Sequence, residues 1–74
     1  QIHVKVNNQG KGIGKALIQM CYDISKQKGM EKIRLEVKKT NSRAIEFYRK
    51  EGFFYDEEAQ KDSIYMVKGF YYEK

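Results

Sequence analysis

The fold is decided by a stretch of sequence in which the hydrophobic period changes from two to about 3.6. Residues 2–24 read IHVKVNNQGKGIGKALIQMCYDI. Apolar and polar residues alternate from Ile2 to Val6, which predicts a strand, and three glycines within five residues then predict a loop. A helix follows that would end at Gly29, a suitable left-handed stop. Its predicted apolar face consists of Ile13, Ala16, Leu17, Met20, Cys21 and Ile24.

A second strand and a second helix come next. Alternation of apolar and charged residues over 33–37 predicts the strand. Thr40, Asn41 and Ser42 supply N-cap candidates for the helix, and Gly52 would end it. The apolar positions of this helix are Ala44, Ile45, Phe47 and Tyr48.

Two more strands are predicted in the last third of the chain. The third begins over 53–55, residues 57–62 are polar enough for a turn, and residues 63–71 form the fourth. The order is therefore β-α-β-α-β-β. A strand–helix–strand unit implies a right-handed parallel crossover, and the last two strands suggest an antiparallel pair. We expect an α/β or α+β fold with a mixed sheet, in at most one domain.

Composition narrows the class of protein. Cys21 is the one cysteine among the 74 residues, so the sequence permits no internal disulfide and no Cys-rich zinc site. This fits a reducing compartment, and we expect a cytoplasmic location. No apolar run approaches the roughly 20 residues that span a bilayer. Residues 1–6 lack the long apolar core and the cleavage site of a signal peptide.

The chain is basic, with a net charge of +5 and a pI of about 9.4. A basic surface favours anionic partners such as nucleic acid, acidic membranes or a polyphosphate cofactor. The lysines are spread along the chain, however, and no nucleic-acid-binding motif is recognised. A small basic nucleic-acid binder is therefore a disfavoured hypothesis for the function of this chain.

The glycine loop has the features of an anion site. Gly10, Gly12 and Gly14 lie between a predicted strand and a predicted helix N-terminus. There the backbone N–H groups are unpaired and the helix dipole is positive. Glycine lets the backbone approach an anion with no Cβ in the way, so a phosphate or pyrophosphate is the natural ligand. Lys11 and Lys15 add positive charge.

Spacing excludes two familiar phosphate loops. A Walker A loop needs four residues between its glycines and then Lys-Ser/Thr, whereas only three separate Gly10 from Gly14 and Ala16 follows Lys15. A Rossmann loop needs Gly-x-Gly-x-x-Gly, but here the third glycine comes one residue early. Neither the mononucleotide nor the dinucleotide loop is therefore expected.

A third pattern fits. Gln9-x-x-Gly12-x-Gly14 matches the Gln/Arg-x-x-Gly-x-Gly/Ala signature of the GNAT N-acetyltransferase superfamily. Residues 41–53, NSRAIEFYRKEGF, closely resemble the second motif of that family, Asn-x-x-Ala-x-x-Phe-Tyr-x-x-x-Gly-Phe. Both occur in the right order on the predicted elements. The chain thus resembles the C-terminal, acetyl-CoA-binding half of a GNAT fold, and residues 1–74 would form a single partial domain.

The resemblance implies a set of cofactor-binding residues. In this family the strand before the glycine loop splays from its neighbour, and its backbone binds the acetyl and pantetheine portions. That role would fall to Ile2, His3 and Val4. The pyrophosphate would lie on Gln9, Gly10, Lys11, Gly12, Ile13, Gly14 and Lys15. Asn41 matches an asparagine that contacts the pantetheine arm; a helix N-cap is its alternative role, and the two are compatible.

Tyr48 matches the family tyrosine near the cofactor sulfur. When an amine attacks the thioester, the leaving thiolate needs a proton, and a phenol nearby can donate it. The alternative is a core aromatic beside Phe47. Other candidates are weaker: His3 could be a general base but is more typical of a surface histidine, and Cys21 lies on the apolar face of its helix. No partner marks Glu36, Glu57 or Glu58 as a base.

The resemblance implies an enzyme that transfers acetyl from acetyl-CoA to a primary amine by direct attack. It implies no metal and neither nucleic acid nor a membrane as partner. A non-catalytic CoA-binding or assembly fragment is the alternative, because the chain covers about half of the family's fold and an inactive isolated segment is compatible with the motifs. The first strand would have an unpaired edge. We therefore expect a homodimer, or pairing with the missing N-terminal half.

Overall fold

The computed structural model describes residues 1–7 and 12–71. Its six elements follow the predicted order and are β1 (Ile2–Val6), α1 (Ile13–Lys28), β2 (Met30–Lys38), α2 (Ser42–Lys50), β3 (Phe54–Ala59) and β4 (Ser63–Tyr71). The β-α-β-α-β-β order is confirmed. In the described ranges, neither helix has the length and apolar character needed to cross a membrane.

The four strands form one mixed sheet in the order β1-β2-β4-β3. β1 runs parallel to β2, and β4 is antiparallel to both of its neighbours. The parallel unit and the antiparallel C-terminal pair are thus confirmed. β4 lies beside β2 because it carries large buried side chains such as Met66 and Phe70. β3, which is mostly exposed, suits the edge.

The turn predicted over 57–62 is wrong, since β3 continues to Ala59 and the connection spans only residues 60–62. Polar residues are tolerated in this strand because it lies at the edge and buries little surface. Arg34 of β2 reaches across β4 to Glu58, with a 2.7 Å distance between Nη2 and Oε2. An irregularity between Tyr55 and Ala59 interrupts the pairing with β4. The polar composition therefore resembled a turn.

Both helices cover the same face of the sheet. Ile33, Leu35 and Val37 of β2 point to that face and have no accessible surface. The ring of Tyr22 on α1 packs on Phe70 of the sheet. The remaining core residues on the helices, the sheet and the connection after α2 are Val6, Ile18, Cys21, Tyr48, Phe53, Met66 and Phe70. The α/β two-layer core is consistent with a partial GNAT fold.

The buried face of α1 differs in part from the predicted one. Ile13 and Met20 are 40% and 42% exposed, whereas Ile18, Cys21 and Ser25 are buried. Ser25 was missed because it is polar, yet its hydroxyl donates to the Tyr22 carbonyl at 2.8 Å and needs no other partner. The face that packs on the sheet is therefore centred on Ile18 and Cys21.

Candidate active site

The turn at Gly12 begins α1 at the end of the glycine loop. Gly12 has a φ of +84°, which L side chains rarely adopt, and its carbonyl accepts the Ala16 N–H at 2.9 Å. A Cβ there would meet nothing within 4 Å, so the backbone conformation alone requires glycine. In the described part, no side chain caps this helix and its first turn has no acidic residue, which leaves N–H groups for an anion.

Five loop residues of the predicted site remain besides the two glycines of α1 and its N-cap. Gln9, Gly10 and Lys11 lie outside the described residues. Ile13 and Lys15 lie on the exposed first turn of α1, next to the predicted anion position. Their assignment to the pyrophosphate stays a prediction.

Gly14 lies at the contact between the two helices. A Cβ built on it would be 2.7 Å from Cε2 and 3.0 Å from Cδ2 of Phe47. Real Cβ atoms essentially never approach closer than 3.0 Å, so any side chain at this position would displace the ring. The sequence placed Gly14 at the anion and missed this contact. The signal that could have found it is a glycine inside a helical stretch, where it is otherwise unfavourable.

Asn41 is the N-cap of α2, as one of its two predicted roles required. Its Oδ1 accepts the Ala44 N–H at 3.2 Å, and the residue is only 7% exposed. Because a backbone N–H can bond only to the amide oxygen, this contact fixes the orientation of the side chain. The other amide atom, Nδ2, is then buried without a hydrogen-bond partner. The residue as a whole lines a pocket of about 270 Å³ together with Lys38 and Arg43, while Nδ2 itself has almost no accessible surface.

Tyr48 is 2% exposed and lies between two aromatic rings. Its ring contacts Phe47 and Phe53 in edge-to-face geometry, with centroid distances of 5.2 Å and 5.5 Å. Burial, and secondarily the nearby Cys21 thiol, raises the pKa of the Tyr48 phenol above its usual range. A phenol of ordinary pKa is already protonated at neutral pH, so Tyr48 holds a proton that it can donate, although the raised pKa makes it a weaker acid than a free phenol.

A mostly apolar pocket of about 270 Å³ opens where β1 ends and α1 begins. Val4, Val6, Ile13, Leu17 and Tyr48 form its apolar lining. It therefore brings Tyr48 together with the strand and with the helix turn that the motifs assign to the cofactor. Ile2, His3 and Asn41 do not line it.

β1 and β2 remain paired along the whole of β1. Ile2 is in register with Ile33, and Val6 is in register with Val37. The splay that the resemblance implies is thus absent between Ile2 and Val6, and any separation of the strands starts beyond Val6. A cofactor that pairs with the backbone of Ile2, His3 or Val4 would have to use the outer edge of β1. Their role stays a prediction.

The face of the sheet opposite the helices carries a cluster of polar and aromatic side chains that the sequence did not predict. The His3 ring packs edge-on against Tyr65, and its Nε2 is 3.9 Å from Oε1 of Glu36. The Arg34 guanidinium lies 3.9 Å from the centroid of the Tyr65 ring. The sequence named no partner that would mark Glu36 or Glu58 as a base, and the structure places His3 beside Glu36 and Arg34 beside Glu58. Strand register, which the sequence leaves open, brings these residues together.

The prediction that Cys21 belongs to the core is confirmed, because the residue has no accessible surface. Burial raises the pKa of its thiol, although the charge of Lys68 lowers it in part. A buried thiol of raised pKa is a poor nucleophile. Among residues 1–7 and 12–71, no three His, Cys, Asp or Glu side chains form a group that could hold a metal ion.

Comparison with known families tests the two motifs. The sequence model of the acetyltransferase (GNAT) family matches residues 1–53, a range that contains both motifs and ends at Phe53. The chain belongs to the GNAT family. The match covers the glycine loop, Asn41 and Tyr48, so the site described above lies within the part that this GNAT chain shares with its family.

Two curated relatives support the assignment. This GNAT chain is 38% identical over 68 residues to an uncharacterized N-acetyltransferase of Methanocaldococcus jannaschii, which covers 92% of the chain and 30% of that protein. It is also 38% identical over 52 residues to the streptothricin acetyltransferase of Streptomyces lavendulae, covering 70% of the chain and 28% of that protein. The chain therefore spans less than a third of the length of these relatives. No solved structure gives a significant match.

Proposed function

We propose that this GNAT chain binds acetyl-CoA and promotes transfer of the acetyl group to a primary amine by direct attack, in a cytoplasmic enzyme. The observation that carries the proposal is the position of Tyr48. It is a buried phenol of raised pKa that lines an apolar pocket beside the uncapped N-terminus of α1. That combination supports a proton donor beside an anion site, which is what a thioester with a pyrophosphate tail needs.

Asn41 is a second indication, separate from Tyr48, that the chain binds a pantetheine arm. Its Nδ2 is a buried donor with no partner in the described part of the chain. Leaving such a donor unsatisfied costs about 1–3 kcal/mol. An amide carbonyl of the arm would remove that cost if a shift of neighbouring side chains opened Nδ2, which has almost no accessible surface, to the pocket that Asn41 lines. Asn41 would then serve as helix cap through its oxygen and as cofactor ligand through its nitrogen.

The start of α1 would hold the pyrophosphate. Gly12 turns the chain into the helix with its N–H groups uncapped, and Lys15 supplies a positive charge in the first turn. An anion at this end is favoured by the helix dipole. Gln9, Gly10 and Lys11 complete the proposed loop by their place in the motif.

The residues of the pocket account for the acyl transfer. Acetyl-CoA, when bound, supplies an acetyl group activated as a thioester. Tyr48 holds a proton at its phenolic oxygen and would give it to the sulfur as the C–S bond breaks and the C–N bond forms. The attacking amine loses one proton, which balances the count when solvent returns a proton to Tyr48. The apolar walls from Val4, Val6 and Leu17 would disfavour water beside the thioester and so limit hydrolysis.

The proposal is tested by Tyr48→Phe in the full-length protein, which removes the hydroxyl and keeps the ring packing. Turnover with a panel of amines, followed by thiol release, should fall by about 10²–10⁴-fold, with little change in acetyl-CoA affinity. Tyr22→Phe is a matched control, because Tyr22 lies on α1, is 43% exposed and does not line the pocket. Unchanged turnover in Tyr48→Phe would remove Tyr48 from the mechanism.

A non-catalytic CoA-binding or assembly role is the second candidate. Less than a third of each relative's length is covered by this chain, and the acceptor site of a complete enzyme can lie elsewhere. Acetyl-CoA binding by calorimetry without thiol release for any amine would favour it. Failure to bind acetyl-CoA would reject both candidates.

We propose the outer edge of β1 as the site of association, and a strand bound there would occupy the edge that a cofactor needs to pair with the backbone of Ile2, His3 or Val4. β1 pairs only with β2 and lies at one end of the described sheet. An unpaired edge next to the pocket invites another strand. We expect that strand to come from an N-terminal half or from a second copy. Light scattering of the 74-residue segment checks this, since a monomeric, well-folded and active segment would contradict it.

A further inference from the structure

Gly12 and Gly14 are required for different physical reasons. Gly12 has a φ of +84°, and a Cβ on it would meet nothing within 4 Å. Gly14 lies inside α1, and its φ is not positive, so every residue type could adopt its backbone. Glycine is among the least favourable residues in a helix. Something other than conformation therefore selects it at position 14.

The Phe47 ring provides that selection. A Cβ at Gly14 would be 2.7 Å from Cε2 of Phe47, about 0.7 Å short of the 3.4 Å at which ordinary contact begins. The same ring packs edge-to-face on Tyr48, with a centroid distance of 5.2 Å. Phe47 thus touches the first turn of α1 on one side and the proposed proton donor on the other.

We propose that Phe47 is a positioning residue whose contact with Gly14 holds the anion-binding turn of α1 in register with Tyr48 and Asn41 on α2. This rests on the proposed function. In this chain it is this contact, rather than clearance for the anion, that leaves no room for a Cβ at position 14, although the family signature also allows alanine there. A ligand such as acetyl-CoA must reach the turn with its pyrophosphate and Tyr48 with its sulfur at once. An error of about 1 Å between such groups can cost on the order of 100-fold in rate.

A double-mutant cycle in the full-length protein tests the contact. Gly14→Ala should raise the dissociation constant for acetyl-CoA about tenfold or more and lower the melting temperature. In the Phe47→Leu background, which makes room for the methyl group, Gly14→Ala should change the affinity by less than about twofold. There it should leave the melting temperature unchanged or raise it, because alanine favours the helix. If Phe47→Leu does not fold, Phe47→Met replaces it as the flexible partner.

A second ligand distinguishes a loss of alignment between the α1 turn and α2 from a simple obstruction of the anion by the methyl group. ADP carries a pyrophosphate but no pantetheine arm, so it would need the α1 turn and neither Tyr48 nor Asn41. The inhibition constant of ADP against acetyl-CoA should therefore stay within about twofold in Gly14→Ala. Equal losses for ADP and acetyl-CoA would mean that the methyl group obstructs the anion itself, which overturns the proposal.

Gly12→Ala is the matched control. Its defect arises from a positive φ with no neighbour, so Phe47→Leu should not rescue it. Equal losses for Gly14→Ala in both backgrounds would also overturn the proposal. If the unmodified protein does not bind acetyl-CoA, the proposed function fails, while the melting temperatures of the cycle still test the contact between Gly14 and Phe47.

Discussion

Replacing Asn41 with aspartate separates the two roles of this side chain. Aspartate is about as good an N-cap as asparagine, and its negative charge suits the N-terminus of α2. One carboxylate oxygen can still accept the Ala44 N–H, which now bonds to Oδ1 at 3.2 Å. The buried Nδ2, however, becomes an oxygen that cannot donate. Asn41→Asp therefore preserves the cap and removes the proposed ligand for the pantetheine arm.

The expected magnitudes follow from the same geometry. Asn41→Asp keeps an oxygen for the Ala44 N–H but puts a second, charged oxygen where Nδ2 is buried without a partner, so the free energy of unfolding should fall by about 1–3 kcal/mol. Losing the donor and leaving a cofactor carbonyl unsatisfied should cost about 1–3 kcal/mol of binding. At about 1.4 kcal/mol per factor of ten, the dissociation constant for acetyl-CoA should rise by about 5–150-fold. Asn41→Ala should lose both the helix cap and the donor to the pantetheine arm, and loss of the cap should lower the free energy of unfolding by about 1 kcal/mol.

Calorimetric titration with acetyl-CoA and urea unfolding measure the two quantities on the same samples. Thr40→Ala is the control, because Thr40 precedes the cap and is exposed. If Asn41→Asp binds acetyl-CoA as tightly as the unmodified protein, Nδ2 does not contact the arm.

Three further predictions concern stability. Lys68 of β4 donates to the Glu51 carbonyl at the end of α2, so Lys68→Met should lower the free energy of unfolding by about 1 kcal/mol in urea titrations, whereas the exposed Lys50→Met should have little effect; equal effects would contradict the capping role. Leu35 has no accessible surface, so Leu35→Ala should cost about 2–5 kcal/mol, enough to abolish cooperative thermal unfolding in so small a core, and a retained transition would argue against the packing. Burial raises the pKa of both Cys21 and Tyr48, so above about pH 8.5 the unfolded chain loses protons that the native state keeps. The free energy of unfolding should therefore fall as pH rises. Cys21→Ala should remove the fall that begins at the lower pH, which belongs to the thiol, and an unchanged pH profile would refute this.

The order of elements could be predicted because each short segment carries its own signal. Alternation over 33–37 predicted β2, and the Asn41 cap predicted the start of α2. The place of β4 between β2 and β3 could not be predicted, since it depends on how the last strand docks on the rest of the sheet. The end of β3 was also missed, because the partner that holds Glu58 is Arg34, 24 residues away in the sequence.

The site shows the same division. Motif spacing predicted site roles for Tyr48, Asn41 and Gly12, and those roles stay predictions. The contact of Gly14 with Phe47 was not, since the angle at which two helices cross depends on tertiary packing. The proximity of His3 to Glu36 was missed for a similar reason. The register of Ile2 with Ile33 sets which side chains of the two parallel strands are neighbours, and alternation alone does not fix that register.

The central place of β4 has a consequence for the order in which the protein can assemble during synthesis. β4 pairs with β2 from Met30 to Lys38, although its own residues are made some 25 to 41 positions later. Until the ribosome has released residues 63–71, one side of β2 has no strand beside it. The family match ends at Phe53, but a polypeptide stopped there would hold both motifs and lack the strand that joins the sheet together. The two family motifs are thus translated before the strand that completes the sheet on which their helices pack.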